Sequence, residues 1–110
     1  MKVLVTGSLG YIGTVLVPML LNRDHDVIGL DTDLYSRCTF TGQLVDLETI
    51  NVDVRDLRKD DLVGYEAIIH LAGLSNDPLG DYRPELTAEI NCDASIKLAE
   101  MAKAVGIKRF

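Results

Sequence analysis

Two rhythms of apolar and polar positions alternate along this chain. Short, nearly unbroken apolar runs occur at Lys2–Thr6, Asp26–Asp31, Leu47–Val52 and Tyr65–His70. Runs of this length, rich in Val, Ile and Leu, predict strands buried on both faces of a parallel sheet. Helical periods lie between them. Within Tyr11–Asn22, residues Ile12, Val15, Leu16, Met19 and Leu20 recur at i, i+3, i+4 spacing, which predicts a helix with these side chains on its buried stripe. Pro18 removes a backbone donor there and crowds the carbonyl of Thr14, so a kink is expected.

A short charged helix is expected over Asp56–Leu62, with Asp56 as its N-cap. The longest helix is expected over Pro84–Val105, with Leu86, Ile90, Ala94, Leu98, Met101, Ala102 and Val105 on its apolar face. Pro84 suits its first turn and Gly106 the left-handed residue after its end. Asn22–His25 reads as a polar turn, and Asp33–Asp46, with Tyr35, Arg37 and Phe40, as a segment without a clean period. Ser75–Asp81 reads as a loop, and Ile107–Phe110 as the start of a fifth strand. Strand and helix alternate throughout, the pattern of an α/β layer fold with a parallel sheet.

The turn after the first strand, Thr6-Gly7-Ser8-Leu9-Gly10-Tyr11-Ile12-Gly13, adds chemistry to this outline. A strand, a glycine-rich turn and a helix in that order make a phosphate cradle, because free amides and the helix dipole favour an anion. Gly7 allows a sharp exit from the strand, Gly10 a close approach to a pyrophosphate, and Gly13 a helix lying close on the strand. The spacing is G-x-x-G-x-x-G in place of the commoner G-x-G-x-x-G. Asp31 ends the next apolar run near the roughly 20-residue offset of an acid that binds an adenosine ribose. A carboxylate there accepts from a 2′-hydroxyl and repels a 2′-phosphate, so it favours NAD over NADP.

Composition narrows the class. A chain of 110 residues with 47% hydrophobic side chains has enough for one globular core. The net charge of −6 argues against general nucleic-acid binding, which needs clustered Lys and Arg. No apolar run approaches the roughly 18 residues of a membrane span. Met1-Lys2 leads straight into a strand, so no signal peptide is expected. Cys38 and Cys92 match neither a metal spacing nor a disulfide framework and read as free thiols of a reducing compartment. A cytoplasmic chain is expected. His70 ends a buried strand with no second ligand spaced to join it, and reads as a hydrogen-bonded structural histidine. His25 is a turn residue, and neither is assigned to catalysis or to a metal.

With two further segments the chain resembles the extended short-chain dehydrogenase/reductase family, of the NAD-dependent sugar epimerase and dehydratase type. These are Asp53-Val54-Arg55-Asp56 and Ile68-Ile69-His70-Leu71-Ala72-Gly73-Leu74-Ser75. The resemblance covers essentially the whole chain. It implies a Rossmann-like, doubly wound parallel sheet, here truncated after about four strands in the order 3-2-1-4. Residues 1–110 would then be the amino-terminal part of an NAD-binding domain, with the substrate domain absent from this chain.

The implied cofactor contacts are Gly7, Gly10, Tyr11, Ile12 and Gly13 in the turn, Asp31 at the ribose, and Asp53 and Val54 at the adenine. Leu71, Ala72, Gly73 and Ser75 would pass beside ribose and pyrophosphate, and Asn91 would lie near the cofactor. The residues themselves leave Asp53 open as a helix cap and Asn91 as a helix residue bonding a nearby loop. In the parent enzyme the resemblance implies a nucleotide sugar as substrate, with no nucleic-acid or membrane partner.

The family acts through Tyr-x-x-x-Lys, and the residues four beyond Tyr11, Tyr35, Tyr65 and Tyr82 are Val15, Thr39, Ile69 and Leu86. The catalytic groups would therefore belong to sequence beyond Phe110, and no residue of this chain is assigned to catalysis. Two other functions stay open. One is a non-catalytic NAD(H)-binding module, and the other a family oxidoreductase on a non-sugar carbonyl, with NADP held through Arg37. A fourth strand left as a sheet edge invites pairing with another chain. Marginal stability, or self-association as a homodimer or through that edge, is expected.

Overall fold

Val3, Leu4 and Val5 are consecutive, all buried, and point alternately to the two faces of the sheet they build. The computed structural model describes residues 1–38, 44–75 and 77–110; Thr39 and Phe40, named above, and position 76 of the Ser75–Asp81 segment lie outside the described residues. Strand β1 (Lys2–Thr6) pairs in parallel with β2 (Asp26–Asp31) on one side and β4 (Ala67–His70) on the other. Strand β3 (Thr49–Asn51) lies outside β2, so the order is β3-β2-β1-β4, as expected. Val3 stands opposite both Val27 and Ala67, which fixes the register across the centre of the sheet.

Each face has its own core. On one, Leu4, Ile28, Leu30 and Ile68 pack with Ala94, Leu98, Met101 and Ala102 of helix α4 (Ala94–Ala104) and with Val54, Leu57 and Leu62. On the other, Val3, Val5, Val27 and Ala67 pack with Val17 of helix α1 (Gly13–Leu21), flanked by Leu20 and Leu21. Burial on both faces explains why the strands read as apolar runs.

Helix α1 differs from its expected face. Val17 and Gly13 are its buried residues, whereas Ile12, Val15 and Met19 are exposed. The helix is apolar at nearly every position, so periodicity could not choose a side. Gly13 chooses it, because only a residue without Cβ fits against the preceding turn, and Val17 follows one turn later. Helix α1 runs without a break through Pro18.

Other elements depart from expectation, among them β4, which begins at Ala67 and not at Tyr65. β3 has three residues in place of Leu47–Val52, because the Val52 amide turns back onto Ile50 O at 3.1 Å. Asp56–Leu62 is two 3-10 turns, Val54–Asp56 and Lys59–Leu62, capped at the first by Asp53 and not by Asp56. The Asp56 amide donates to Asp53 O at 2.9 Å, so Asp56 is already inside the turn. Helix α2 (Asp77–Tyr82) occupies a segment read as loop.

The long helix is helical throughout, but α3 (Pro84–Ala88) and α4 are joined by a π-helical turn, Glu89–Asp93. Gly106 takes φ +82°, as a left-handed residue closing α4. Beyond it Arg109 bridges in parallel to Ala67, with Ile68 N donating to Arg109 O at 2.9 Å. This isolated bridge lies alongside β4 where the fifth strand is expected, and the sheet of the described residues has four strands.

Candidate functional site

Because all four strands are parallel, their carboxyl ends share one edge, where ligands of open α/β sheets bind. A groove along that edge is lined by Gly7, Gly10, Asp31, Asp53, Val54, Leu71, Ala72 and Gly73 among the residues singled out from sequence.

The glycine turn is built by close contacts. Gly7 has φ +70°, its amide donates to Leu30 O at 2.8 Å, and a Cβ on it would meet Ala72 N at 2.7 Å. A Cβ on Gly13 would strike Gly7 O and the Ser8 backbone, so this glycine seats α1 on the turn and not, as expected, on the strand. Gly10 is different: an added Cβ would meet only Gly7 O, at 3.2 Å. Among the described residues the amides of Tyr11, Ile12 and Gly13 donate to no backbone carbonyl. No acidic side chain lies in the first turn of α1. Free amides at a helix start beside glycines fit a pyrophosphate.

Asp31 is fixed from two directions. Its Oδ2 accepts from Leu9 N at 2.9 Å, and its Oδ1 from Asp33 N at 2.8 Å. Asp33 takes φ +52° to make that turn. Each carboxylate oxygen keeps a lone pair for a further donor such as a ribose hydroxyl.

On the β3 side, Asp53 Oδ1 accepts from Arg55 N at 2.9 Å and Nε at 3.0 Å, and its Oδ2 from Nη2 at 2.8 Å. These bonds from Arg55 hold the Asp53 carboxyl below its ordinary pKa. Arg55 Nη1 reaches on to Glu89 in the π turn at 3.1 Å. Asp53 is therefore both a cap and a groove residue.

The β4 side is held from behind. Thr6, fully buried, accepts from Leu71 N and Ala72 N at its Oγ1. Asn91, in the π turn, accepts from Leu74 N at 2.8 Å and donates to Leu74 O at 2.7 Å. Its amide group grips the loop and is not part of the groove wall. Gly73 lies under it: a Cβ there would come within 3.0 Å of Asn91 Oδ1. His70 is satisfied at both ring nitrogens, by Thr6 and Ser95, and burial holds its pKa below the ordinary value.

Tyr11, Ile12, Gly13, Ser75 and Asn91 do not line the groove, and Tyr11 is 95% exposed. Thr32, Asp33, Leu34 and Tyr35 do line it, beside Asp31, with Val52 and Ile90. Asp33, Leu34 and Tyr35 open the Asp33–Asp46 segment that has no clean period, and Thr32 joins it to Asp31. Val52 and Ile90 read in sequence as a strand end and a helix-core position. No described residues form a metal-binding cluster, and no described helix is long and apolar enough to cross a membrane.

A parallel β3-β2-β1-β4 sheet with a glycine turn after β1 and an acid closing β2 defines a Rossmann-type dinucleotide-binding fold. The NAD dependent epimerase/dehydratase family model matches residues 3–110, and the chain belongs to that family. It is 30% identical to the UDP-glucose 4-epimerase of Mycolicibacterium smegmatis over 99% of this chain and 37% of that protein. A UDP-glucose 4-epimerase of Klebsiella pneumoniae is 33% identical over 100% of this chain and 86% of that protein.

Two solved structures share the fold closely. The UDP-N-acetylglucosamine 4-epimerase of Methanobrevibacter ruminantium M1, in complex with UDP-N-acetylmuramic acid, superposes with TM-score 0.82 at 30% identity, over 97% of this chain and 35% of that one. MoeE5 in complex with UDP-glucose and NAD gives 0.80 at 27%, over 97% and 34%. The chain thus spans little more than a third of the M. smegmatis protein and of these two structures.

Proposed function

We propose that this chain holds NAD at the carboxyl edge of its sheet, as the cofactor-binding part of an enzyme working by hydride transfer at a hydroxyl of a nucleotide sugar. The observation that carries this reading is the Leu9–Asp31 bond, which joins the glycine turn and the acid into one groove. Membership of an NAD-dependent family and relatives named as UDP-sugar epimerases support it.

In this reading the amides of Tyr11, Ile12 and Gly13, with Gly7 and Gly10 behind them, take the pyrophosphate. Asp31 accepts from the adenosine ribose, and Asp53 and Val54 bound the adenine. Leu71, Ala72, Gly73 and Ser75 pass beside the ribose and pyrophosphate, and Asn91 acts through its hold on Leu74. Bound NAD supplies a two-electron hydride acceptor; this chain's residues bind, orient and shield it. The parent activity is epimerase, dehydratase or dehydrogenase chemistry.

A second reading is a module that binds NAD(H) without turnover; no Tyr-x-x-x-Lys stands within these 110 residues. An oxidoreductase using NADP through Arg37 is disfavoured by the negative Asp31 beside the ribose site. Side-by-side calorimetric titrations with NAD and NADP test the cofactor assignment. Saturable NAD binding, at least about tenfold tighter than NADP, is expected from two charge-assisted bonds. Equal affinities, or none, contradict it.

A further inference from the structure

Thr6, His70 and Ser95 form a hydrogen-bonded chain behind the β4 wall of the groove, and bonding capacity alone places its protons. Thr6 Oγ1 accepts from Ala72 N at 3.2 Å and from Leu71 N at 3.2 Å, the latter shared with Thr6 O at 3.0 Å. Those contacts occupy both lone pairs of the hydroxyl, so its proton goes to His70 Nδ1 at 2.7 Å. At the other end, Ser95 Oγ donates its one proton to Asn91 O at 2.9 Å. Ser95 therefore accepts from His70 Nε2, 2.8 Å away. Both ends assign the same form of the ring, a neutral imidazole carrying hydrogen on Nε2.

This ring serves two grips on one stretch of chain. Through Thr6 it fixes the Leu71–Ala72 peptide, the same peptide on which Gly7 rests so closely that no Cβ fits between. Through Ser95 it steadies Asn91, whose amide clamps both backbone groups of Leu74. His70 itself does not line the groove and joins no cluster of metal-binding residues among those described.

We propose that His70 is a positioning residue for the cofactor, holding the Leu71–Leu74 wall and the glycine turn in register through Thr6 and Ser95. The inference rests on the NAD-binding reading above.

The test compares the unchanged 110-residue chain with Ser95→Ala, His70→Asn and the double variant, by NAD calorimetry, thermal melting and 15N spectra of the imidazole. Asn keeps an acceptor near Thr6 but is too short for Ser95. Ser95 lies outside the groove, so a purely structural role would move the melting temperature and leave NAD affinity alone. The expected result is an Nε2–H ring, NAD binding about fivefold weaker in each single variant, and a double variant no weaker than His70→Asn.

Equal affinities across the set, multiplicative losses, or an Nδ1–H ring overturn the proposal. If the unchanged chain binds no NAD, the functional reading fails separately, and amide exchange decides the relay. Faster exchange at Ala72 and Leu74 in both single variants supports it, and unchanged exchange overturns it.

Discussion

The Leu9 amide donates to Asp31 Oδ2 across 2.9 Å, tying the glycine turn to the end of the second strand. One side chain thus shapes the glycine turn and presents a carboxylate to the groove, where the proposed function puts the ribose. Asp31→Ala removes both the charge and the tie. NAD affinity should fall at least about tenfold, while NADP, which the carboxylate repels, should lose far less. Titration of both nucleotides against the variant checks this, and equal losses would remove the ribose role.

Two glycines of the turn should fail differently. A Cβ on Gly13 has backbone on every near side, with Ser8 O at 2.5 Å, so Gly13→Ala must push α1 off the turn. Overpacking of this kind costs about 1–3 kcal/mol, and a lower melting temperature is expected. A Cβ on Gly10 meets only Gly7 O at 3.2 Å. Gly10→Ala should melt close to the unchanged chain yet lose NAD binding.

Acid should loosen the fold through His70. Burial holds the ring below its ordinary pKa, so the unfolded chain takes up the proton first. The stability contributed by the neutral ring is complete above about pH 6.5. It is lost as pH falls from there toward the folded-state pKa. Asp53, held low by Arg55, adds a second loss that begins only near the ordinary carboxylate range. Melting temperatures followed from pH 7.5 down to about 5 should decline in the unchanged chain and decline less in His70→Asn.

What the sequence made legible follows from where local pattern decides structure. Strands β1 and β2 have the expected bounds, because five- and six-residue apolar runs buried on both faces leave little choice. The glycine turn and Asp31 were readable because each residue type is demanded by backbone approach or charge. The buried side of α1 was not, since an almost wholly apolar helix carries no periodicity and Gly13 alone breaks the tie.

Helix α2 was hidden by Pro78 and Gly80, which read as loop residues although Pro is tolerated in a first helical turn. Sequence alone does not choose between Asp53 and Asp56 as the cap, because they are the same residue type a turn apart, and the structure caps at Asp53. The π turn and the His70–Ser95 bond depend on segments packed together in space, which no local pattern reports.

Surface composition gives a further expectation. Tyr11 and Ile12 just before α1, and Val15 and Met19 on it, are exposed apolar side chains, and among the described residues the outer edge of β4 carries a single bridge, to Arg109. Exposed apolar side chains and edges of this kind favour self-association. Sedimentation velocity should show a concentration-dependent shift that Val15→Glu with Met19→Glu reduces. A monodisperse monomer over the whole concentration range would contradict it.

The most direct test of the central claim is to add NAD to the 15N-labelled chain and follow the backbone amides. The account predicts saturable shifts at Gly7, Gly10, Ile12, Gly13, Asp31, Val54 and Ala72, a contiguous track along the carboxyl edge of the sheet. No shifts at saturating NAD, or shifts centred instead on the Ser75–Asp81 side of α2, would contradict it.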